Sequence, residues 1–321
     1  MRALKPVFDL LRLKSEKIEI GGEIGMDDVK MKHESVAAIV LAFSREEDLK
    51  QVIHNLKNQT RKLDEIIVIF QGTNLRILEW LNQQSDITVH QQGNVGSAGG
   101  FTTGIKMAMA KGHQWSWLFD DDAVPELNAL EEITNCKYFD SAKTGYLASV
   151  VVNPDRQVYM SPSADGSNKW YGSVLQDGCV PCIRATWIGC LVSSQSILDF
   201  GLPMEEYFMY DEDFEFTERV SRSRESYCVI KSIVVHYQKG KFDPFTSKVD
   251  MLKHGYYVRN HFASIRLSGK SSIKKLVRIW LWFFKNAWEI MTHKVPLKTV
   301  WPLFNGLIFF RPKVKFWRPL E

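Results

Sequence analysis

The sequence predicts an α/β fold in which helices flank a mostly parallel sheet. Of its 321 residues, 45% are apolar and 24% are charged, which is the composition of a globular protein with a sizeable core. Short apolar runs alternate with segments that have the spacing of amphipathic helices. Such an alternation predicts strands joined by right-handed crossovers, and therefore a parallel sheet.

The predicted elements follow one another closely from residue 36 onward. Residues 36–43 form an apolar run typical of a strand that is buried on both faces. A helix is predicted over residues 46–57, where the apolar side chains fall on one side. A second strand over 66–70, a helix over 75–84 and a third strand over 87–90 continue the alternation.

Three regions are predicted along the chain. Residues 1–36 are mixed and polar and indicate a flap or linker, residues 37–268 form the main domain, and residues 269–321 form a helical tail. The first 14 residues alternate basic and apolar side chains and lack the apolar stretch of a signal peptide. No run of the sequence approaches the roughly 20 apolar residues that a membrane-spanning helix needs. We therefore expect a cytoplasmic protein.

The tail is both basic and aromatic. From Ser272 to Glu321, ten Lys or Arg stand against two acidic residues, which gives +8, whereas the rest of the chain has −4. Five of the ten tryptophans also lie in these last 50 residues. Aromatic residues beside Lys and Arg suit the surface of an anionic membrane. Peripheral attachment to the inner face of the cell membrane is therefore predicted, with packing on the main domain or on a dimer partner as the alternative. No nucleic-acid partner is expected, and the oligomeric state stays open.

The five cysteines indicate a reducing compartment, because they are sparse and odd in number. Cys179 and Cys182 form one C-x-x-C pair without a second pair of Cys or His. A single pair makes a poor zinc site, so a structural or incidental role is expected.

Polar or glycine-rich loops follow the three predicted strands. They contain Ser44 and Arg45 after the first strand, Gln71 after the second, and residues 93–101 after the third. Ligands of parallel α/β sheets bind at the carboxyl ends of the strands, where such loops converge. At this level any doubly wound nucleotide-binding domain fits equally well.

The third of these loops is rich in glycine and precedes a helix predicted over residues 102–111. Small residues let the backbone approach a ligand closely, and the amides of a helix N-terminus favour phosphate. The segment has neither the Walker spacing nor the G-x-G-x-x-G spacing. Taken alone, it is either a ligand loop or a turn.

Three consecutive aspartates follow an apolar strand predicted over residues 115–119. Like charges at one point repel, and a divalent cation such as Mg2+ or Mn2+ relieves that repulsion through oxygen ligands. Adjacent strand residues point to opposite faces, so Asp120 and Asp122 can share a cation while Asp121 faces elsewhere. The alternative is a solvated acidic turn that caps the following helix.

A second acidic cluster has five acids among aromatic residues at positions 211–218. A carboxylate near a bound donor could act as general base on an acceptor hydroxyl. The alternative is a surface helix whose N-terminus favours acidic residues. His236 ends a further apolar strand, where a lone histidine is more often a packed residue than a ligand.

Together these motifs resemble the family-2 glycosyltransferases of the GT-A fold, over roughly residues 36–268. The segment of residues 96–101 followed by the aspartates and Ala123 is most similar to bacterial galactofuranosyltransferases, and residues 256–260 are similar to a Tyr-Arg-Asn segment of bacterial rhamnosyl- and galactofuranosyltransferases. The matching segments, in the family's order, are Ser44-Arg45, Gly72-Thr73, residues 94–101, 120–122, 187–190 and 212–219, His236, and residues 256–260.

The resemblance implies an inverting, metal-dependent transfer of a sugar from a nucleotide-sugar donor to a saccharide acceptor. It implies that Asp120, Asp122 and His236 hold Mn2+ or Mg2+ against the donor diphosphate. Asp213 would deprotonate the acceptor hydroxyl, with Glu212 as the alternative base. The residues implied in substrate binding are Ser44, Arg45, Gln71, Asn94, Gly99, Gly100, Phe101, Asp121, Trp187, Gly189 and Arg259.

The expected reaction is transfer of galactofuranose from UDP-galactofuranose to a lipid-linked acceptor in bacterial surface polysaccharide synthesis, such as that of O-antigen. Phe70 and Gln71 stand where the family usually has an aspartate that contacts the nucleotide base, so a rhamnosyltransferase using dTDP-rhamnose is the alternative. The short termini favour a single addition over polymerisation. A non-catalytic sugar-nucleotide-binding protein is a third possibility, and a nucleotidyltransferase lacks its expected basic glycine-rich signature.

Overall fold

The computed structural model describes residues 34–159, 162–164, 170–237, 248–292 and 294–319. Most of the predicted N-terminal flap or linker, residues 1–33, lies outside these described residues. The remaining chain contains ten strands and ten α-helices within the described ranges.

The strands are β1 Val36–Ala42, β2 Glu65–Phe70, β3 Thr88–Gln91, β4 Trp115–Asp120, β5 Ala123–Pro125, β6 Thr144–Val152, β7 Ser163–Ala164, β8 Cys179–Arg184, β9 Cys190–Ser193 and β10 Glu225–His236. The α-helices are α1 Glu46–Lys57, α2 Leu75–Asn82, α3 Gly96–Ala110, α4 Ala129–Thr134, α5 Trp170–Asp177, α6 Ser194–Phe200, α7 Glu212–Ser221, α8 Lys248–Leu267, α9 Ser272–Met291 and α10 Val300–Phe304. Short 3-10 turns cover Glu205–Tyr207 and Leu297–Thr299, and a π turn covers Asn305–Phe309.

The strands form one mixed sheet in the order β3-β2-β1-β4-β9-β6-β10-β8-β7, with β5 paired to β10. Strands β1 to β4 are mutually parallel where they pair, because helices cross over between them. Strand β9 is antiparallel to both neighbours, and β10 is parallel to β6. The predicted α/β fold with a mostly parallel sheet is therefore confirmed.

The two faces of the sheet are buried by different helices. Alternate residues of β1 pack with α1 and α2 on one face and with α3 on the other. Helix α7 covers the second face through Phe216 and Val220. A strand with apolar neighbours on both sides needs apolar residues at every position, which explains the continuous run over Val36–Ala42.

Among the boundaries that differ from the sequence prediction, two concern the loops after β1 and β3. Strand β1 ends at Ala42, and Phe43 is an exposed residue beyond it. Helix α3 begins at Gly96, so most of the glycine segment is helical and the predicted start at residue 102 is wrong. Glycine has a low intrinsic helix propensity, but Gly104 and its neighbours lie against β1 and β2, where a larger side chain would collide. Tertiary packing therefore overrides the local preference.

The C-terminal helices form a separate small core. Val258 and Phe262 of α8 pack with Ile290 of α9 and Leu303 of α10. The indole of Trp282 donates to the carbonyl of Val258 at 3.2 Å. One face of α9, which we call the tail helix, is thus packed on α8. Packing of the tail on the main domain is one of the two alternatives that the sequence leaves open. No helix in the described ranges is long and apolar enough to span a membrane.

Candidate active site

Two strand ends bring the acidic triplet and His236 together. Strand β4 ends at Asp120, and the short strand β5 that follows pairs antiparallel with the end of β10, so that Ala123 lies opposite His236. The amide of Tyr237 donates to the carbonyl of Asp122 at 2.8 Å. Asp120 and Asp122 lie more than 110 positions before His236 in the chain, and the pairing of β5 with β10 brings them to the same end of the sheet. Their proximity therefore follows from the path of the backbone.

Asp120, Asp122 and His236 each offer one ligand atom, and these atoms lie within 4.8 Å of one another. The Nε2 of His236 is 3.2 Å from Oδ1 of Asp122, at ion-pair distance. This buried Oδ1 makes no aligned hydrogen bond to any described residue, and a buried carboxylate oxygen without a hydrogen bond is costly. Two carboxylates and an imidazole are better ligands for Mn2+ or Mg2+ than for a soft metal, which prefers thiolates. The residues present therefore fit a divalent cation.

The charges of the triplet are unevenly compensated. Burial, with the charge of Asp122 next, raises the pKa of Asp120 to about 7. Burial acts on Asp122 as well, but neighbouring His236 and Arg45 hold the pKa of its carboxyl below the ordinary value. The positive groups of the protein alone consequently do not balance the charge of Asp120, as expected of a site for a cationic ligand.

Asp121 faces the loop after β1 and does not belong to the group of potential cation ligands. Its carboxylate accepts from the amide of Phe43 at 3.0 Å and from Nη1 of Arg45 at 2.9 Å. The same Nη1 of Arg45 lies 2.7 Å from Oδ2 of Asp122. Arg45 therefore bridges two of the three aspartates and ties its own loop, with the exposed Ser44, to the acidic edge.

Gln71 and Asn94 organise the start of α3. The buried amide of Gln71 accepts from the amide of Val95 at 2.7 Å and donates to the carbonyl of Gly96 at 3.0 Å. Asn94 accepts from the amide of Gly96 at 3.0 Å. Gly96 has a φ of +75°, and a Cβ there would lie 1.9 Å from the carbonyl oxygen of Phe208, so only glycine fits.

Three of the predicted substrate residues lie in the first turns of α3. Gly99 and Gly100 are buried, and a Cβ on Gly100 would lie 2.4 Å from the side chain of Leu41. Phe101 is fully buried, and its ring packs against that of Trp187 with centroids 5.9 Å apart. These contacts give all three residues a packing reason, whereas their predicted part in substrate binding stays a prediction.

Helix α7 presents the second acidic cluster. Ser97 donates a short hydrogen bond to Oε1 of Glu212, while the buried Oε2 has no partner among the described residues. Burial raises the pKa of Glu212 to about 7, despite the hydrogen bond from Ser97. Burial and then the charge of Glu212 raise the pKa of Asp213 well above its ordinary value. The adjacent carboxyl groups of Glu212 and Asp213 thus both have raised pKa values, as is common for acid–base groups.

A cleft of about 300 Å3 joins the two acidic clusters. Asp120 lines it from β4, and Asp211, Glu212 and Asp213 line it at α7. Trp187 forms part of the wall, and its buried indole N–H has no acceptor among the described residues. The cleft therefore combines one of the three potential cation ligands, further carboxyl groups and an aromatic wall, which together suit a polyhydroxylated ligand.

Lys253 and Tyr257 of α8 also line the cleft, and the sequence prediction missed both. Their spacing of four residues places them on one face of the helix. For Tyr257 the similarity of residues 256–260 to the transferase segment is a second signal, but neither signal indicates which face of the helix meets the site. Lys253 adds a positive charge to a cleft with four carboxyl groups.

Gly189 and Arg259 have clear structural partners. Gly189 has a φ of +66°, and a Cβ there would lie 2.6 Å from Val234 of β10. Arg259 donates from Nη2 to the carbonyls of Glu206 and Tyr207, both at 3.0 Å. The predicted contact of these two residues with substrate stays a prediction.

The sequence pattern of glycosyl transferase family 2 matches residues 37–165. The galactofuranosyltransferase GlfT1 of Mycolicibacterium smegmatis is 26% identical over 205 residues, which are 59% of this chain and 66% of that protein. GlfT1 of Mycobacterium tuberculosis H37Rv is 26% identical over 202 residues, with the same two shares. The match thus spans just under two thirds of these relatives.

Solved structures resemble the whole fold more broadly. S. aureus TarS 1–349 in complex with UDP-GlcNAc has a TM-score of 0.56 at 14% identity, over 85% of this chain and 79% of that one. GalNAc-T7 with UDP, GalNAc and Mn2+ has a TM-score of 0.56 at 14% identity, over 83% and 59% of the two chains. At such identities the likeness concerns the fold alone. The chain therefore contains a glycosyltransferase family 2 domain on a GT-A-like fold, with homology to the galactofuranosyltransferase GlfT1 over part of its length.

Proposed function

We propose that the protein is an inverting glycosyltransferase that uses a divalent cation and a nucleotide-sugar donor. The observation that carries the proposal is the cluster of Asp120, Asp122 and His236, in which Asp120 also lines a cleft that contains Asp213. A bound Mn2+ or Mg2+ would offset the charge that develops on the departing nucleoside diphosphate. The domain match and the fold support this class of reaction.

The protein's own residues supply the remaining parts of the reaction. Asp213 accepts the proton of the acceptor hydroxyl as the hydroxyl oxygen attacks the anomeric carbon from the side opposite the leaving group. The bond from the anomeric carbon to the diphosphate oxygen breaks in the same step, so the configuration inverts. The indole of Trp187 and the ring of Tyr257 offer surfaces on which a sugar can be oriented.

Galactofuranose is the proposed sugar, with UDP-galactofuranose as the donor and a lipid-linked saccharide as the acceptor. The match to galactofuranosyltransferases supports this choice, although it covers only part of their length. The neighbouring structures of TarS and GalNAc-T7 contain UDP-GlcNAc and UDP, respectively, which fits a uridine nucleotide donor. Cellular surface polysaccharide synthesis is the process in which such a transfer would serve.

A panel of nucleotide sugars tests this proposal. The protein is incubated with Mn2+ and, separately, UDP-galactofuranose, UDP-galactopyranose, UDP-GlcNAc and dTDP-rhamnose, and release of the nucleoside diphosphate and thermal shift are measured. We expect UDP-galactofuranose to give the largest response. A larger response to dTDP-rhamnose would support the rhamnosyltransferase instead, and no response to any donor would contradict the proposed class.

The exposed side of the tail helix is proposed as a membrane-docking surface, which we define as Ile273, Leu276, Val277, Trp280, Leu281, Phe284 and Trp288. All seven apolar side chains are exposed. Lys274, Lys275 and Arg278 lie on the same helix and can each attract anionic lipid. The surface would place the protein peripherally on the cytoplasmic side of a membrane, where a lipid-linked acceptor lies.

Substitution of Leu281 and Phe284 by Asp should weaken binding to vesicles of phosphatidylglycerol and phosphatidylcholine by at least about tenfold, because two apolar contacts are lost and charge repels the lipid. Leu175→Asp is the matched control, since Leu175 is also an exposed apolar residue on a helix. Sedimentation with vesicles measures binding. Equal binding by the double variant and the control would exclude this surface.

A further inference from the structure

The loop before Glu212 has an unusual backbone. Phe208, Tyr210 and Asp211 all have positive φ values, of 66°, 67° and 68°. Residues with a side chain rarely adopt such angles, and they do so only where neighbouring groups hold them. Asp211 directly precedes α7, and its carbonyl accepts from the amide of Glu215 at 2.9 Å. The path of this loop therefore fixes where the first turn of α7 begins.

Asn260 of α8 holds the loop by three backbone carbonyls. Its Nδ2 lies 2.9 Å from the carbonyl oxygen of Tyr207, 2.7 Å from that of Met209 and 2.9 Å from that of Tyr210. The side chain is fully buried. An amide has two hydrogens, so three carbonyls that converge on one nitrogen must share them. A residue without that amide removes this donor from all three carbonyls, of which that of Tyr207 keeps its hydrogen bond from Arg259.

The neighbours of Asn260 on α8 complete the restraint. The Nε of Arg259 donates to Oδ1 of Asn260 at 2.9 Å, which orients the amide with Nδ2 toward the loop. Arg259 also donates to the carbonyls of Glu206 and Tyr207. Nδ1 of His261 lies 3.0 Å from Oδ2 of Asp211. Three successive residues of one helix thus hold the two ends of the same loop.

The opposite side of the loop rests on α3. The carbonyl of Phe208 accepts from the amide of Ala98 at 3.1 Å, next to Ser97, which contacts Glu212. We propose that Arg259 and Asn260 are positioning residues, which hold residues 207–211 against α3 and thereby place Glu212 and Asp213 for proton transfer. This inference rests on the proposed function and assigns Arg259 to the protein's own loop rather than to substrate.

Asn260→Ala tests the proposal against a matched control. Asn286→Ala removes another buried asparagine amide, which donates to the carbonyl of Trp282 at 2.8 Å on the tail helix. We expect Asn260→Ala to lower kcat by about 100-fold with the KM for the donor within about twofold, because a displacement of roughly 1 Å at a reacting group has such an effect. Asn286→Ala should change the melting temperature without a comparable loss of kcat.

Hydrogen exchange separates this inference from the proposed function, since it requires no activity. In Asn260→Ala the amides of Ala98 and Glu215 should exchange faster than in the wild type, and in Asn286→Ala they should not. Unchanged exchange at both amides would overturn the inference whether or not transfer is detected. So would a raised donor KM at unchanged kcat, or a loss of kcat no greater than in the control. Failure of the wild type to transfer any sugar, with the expected exchange pattern, would instead count against the proposed function alone.

Discussion

Replacement of Asp122 by alanine is expected to lower metal-dependent transfer by roughly 1000-fold, about 4 kcal/mol of lost transition-state stabilisation. Asp122 offers the buried Oδ1 that lies beside His236, and its removal leaves two of the three candidate ligands. The fold should persist, because Arg45 retains its contact with Asp121. Nucleoside diphosphate release measured against Mn2+ concentration checks the expectation.

A second readout follows the cation directly. Mn2+ binding measured by electron paramagnetic resonance should weaken in Asp122→Ala, and it should not change in Asp155→Ala, which removes an exposed aspartate from a turn. Wild-type activity or an unchanged Mn2+ titration in Asp122→Ala would show that the cluster is not the cation site. The site forms through the pairing of β5 and β10, so a variant that loses the fold would show a lowered melting temperature. The melting temperature therefore distinguishes loss of the fold from loss of a cation ligand.

Asp213→Asn is expected to reduce kcat by about 1000-fold while donor affinity stays close to that of the wild type. Asparagine has the same shape and can still accept the hydrogen bond from the amide of Phe214, which is 2.7 Å long in the wild type. What it lacks is the ability to accept a proton. Turnover and donor titration by thermal shift, measured on one preparation, separate the two effects. Retained turnover would make Glu212 the better candidate for the base.

The pH dependence of the same reaction has a definite direction. The pKa of Asp213 is raised by burial and by Glu212, so the ionised base is lost as the pH falls, at a higher pH than for an exposed aspartate. The acid limb of kcat/KM is therefore expected at a higher pH than the ordinary pKa of an aspartate would give. Glu212→Gln removes one like charge and should move this limb to lower pH. An unmoved limb would mean that these two carboxyl groups do not govern the reaction.

Most of the sheet could be predicted because its signals are local. The continuous apolar run over Val36–Ala42 and the apolar spacing within Glu46–Lys57 each show, within the segment itself, which residues are buried. The position of Asp120 and Asp122 at a strand end was equally visible. The link from Asp121 to Arg45 was not, because it depends on how a loop 76 residues earlier in the chain approaches the strand end.

The second half of the candidate site was harder to predict for the same reason. Asp213 could be proposed only through the resemblance, since an acidic helix start is common on protein surfaces. Lys253 and Tyr257 belong to a helix whose low amphipathicity gives no inward face. Arg259 was predicted to bind substrate, whereas its described hydrogen bonds go to the loop before α7 and to Asn260. Such pairings arise from tertiary contacts that no short segment encodes.

The contact between Gly96 and Phe208 also limits how the protein could diversify. The helix that begins after β3 and the loop before α7 touch through bare backbone, with no space for even a methyl group between them. A larger residue at Gly96 therefore cannot be accommodated by moving a side chain, because the group it would collide with is the backbone carbonyl of Phe208. Variation in sugar preference would be easier to acquire at Trp187, Lys253 or Tyr257, which line the cleft without forming that contact. Libraries designed to alter the donor or acceptor should accordingly vary the walls and leave this backbone junction untouched.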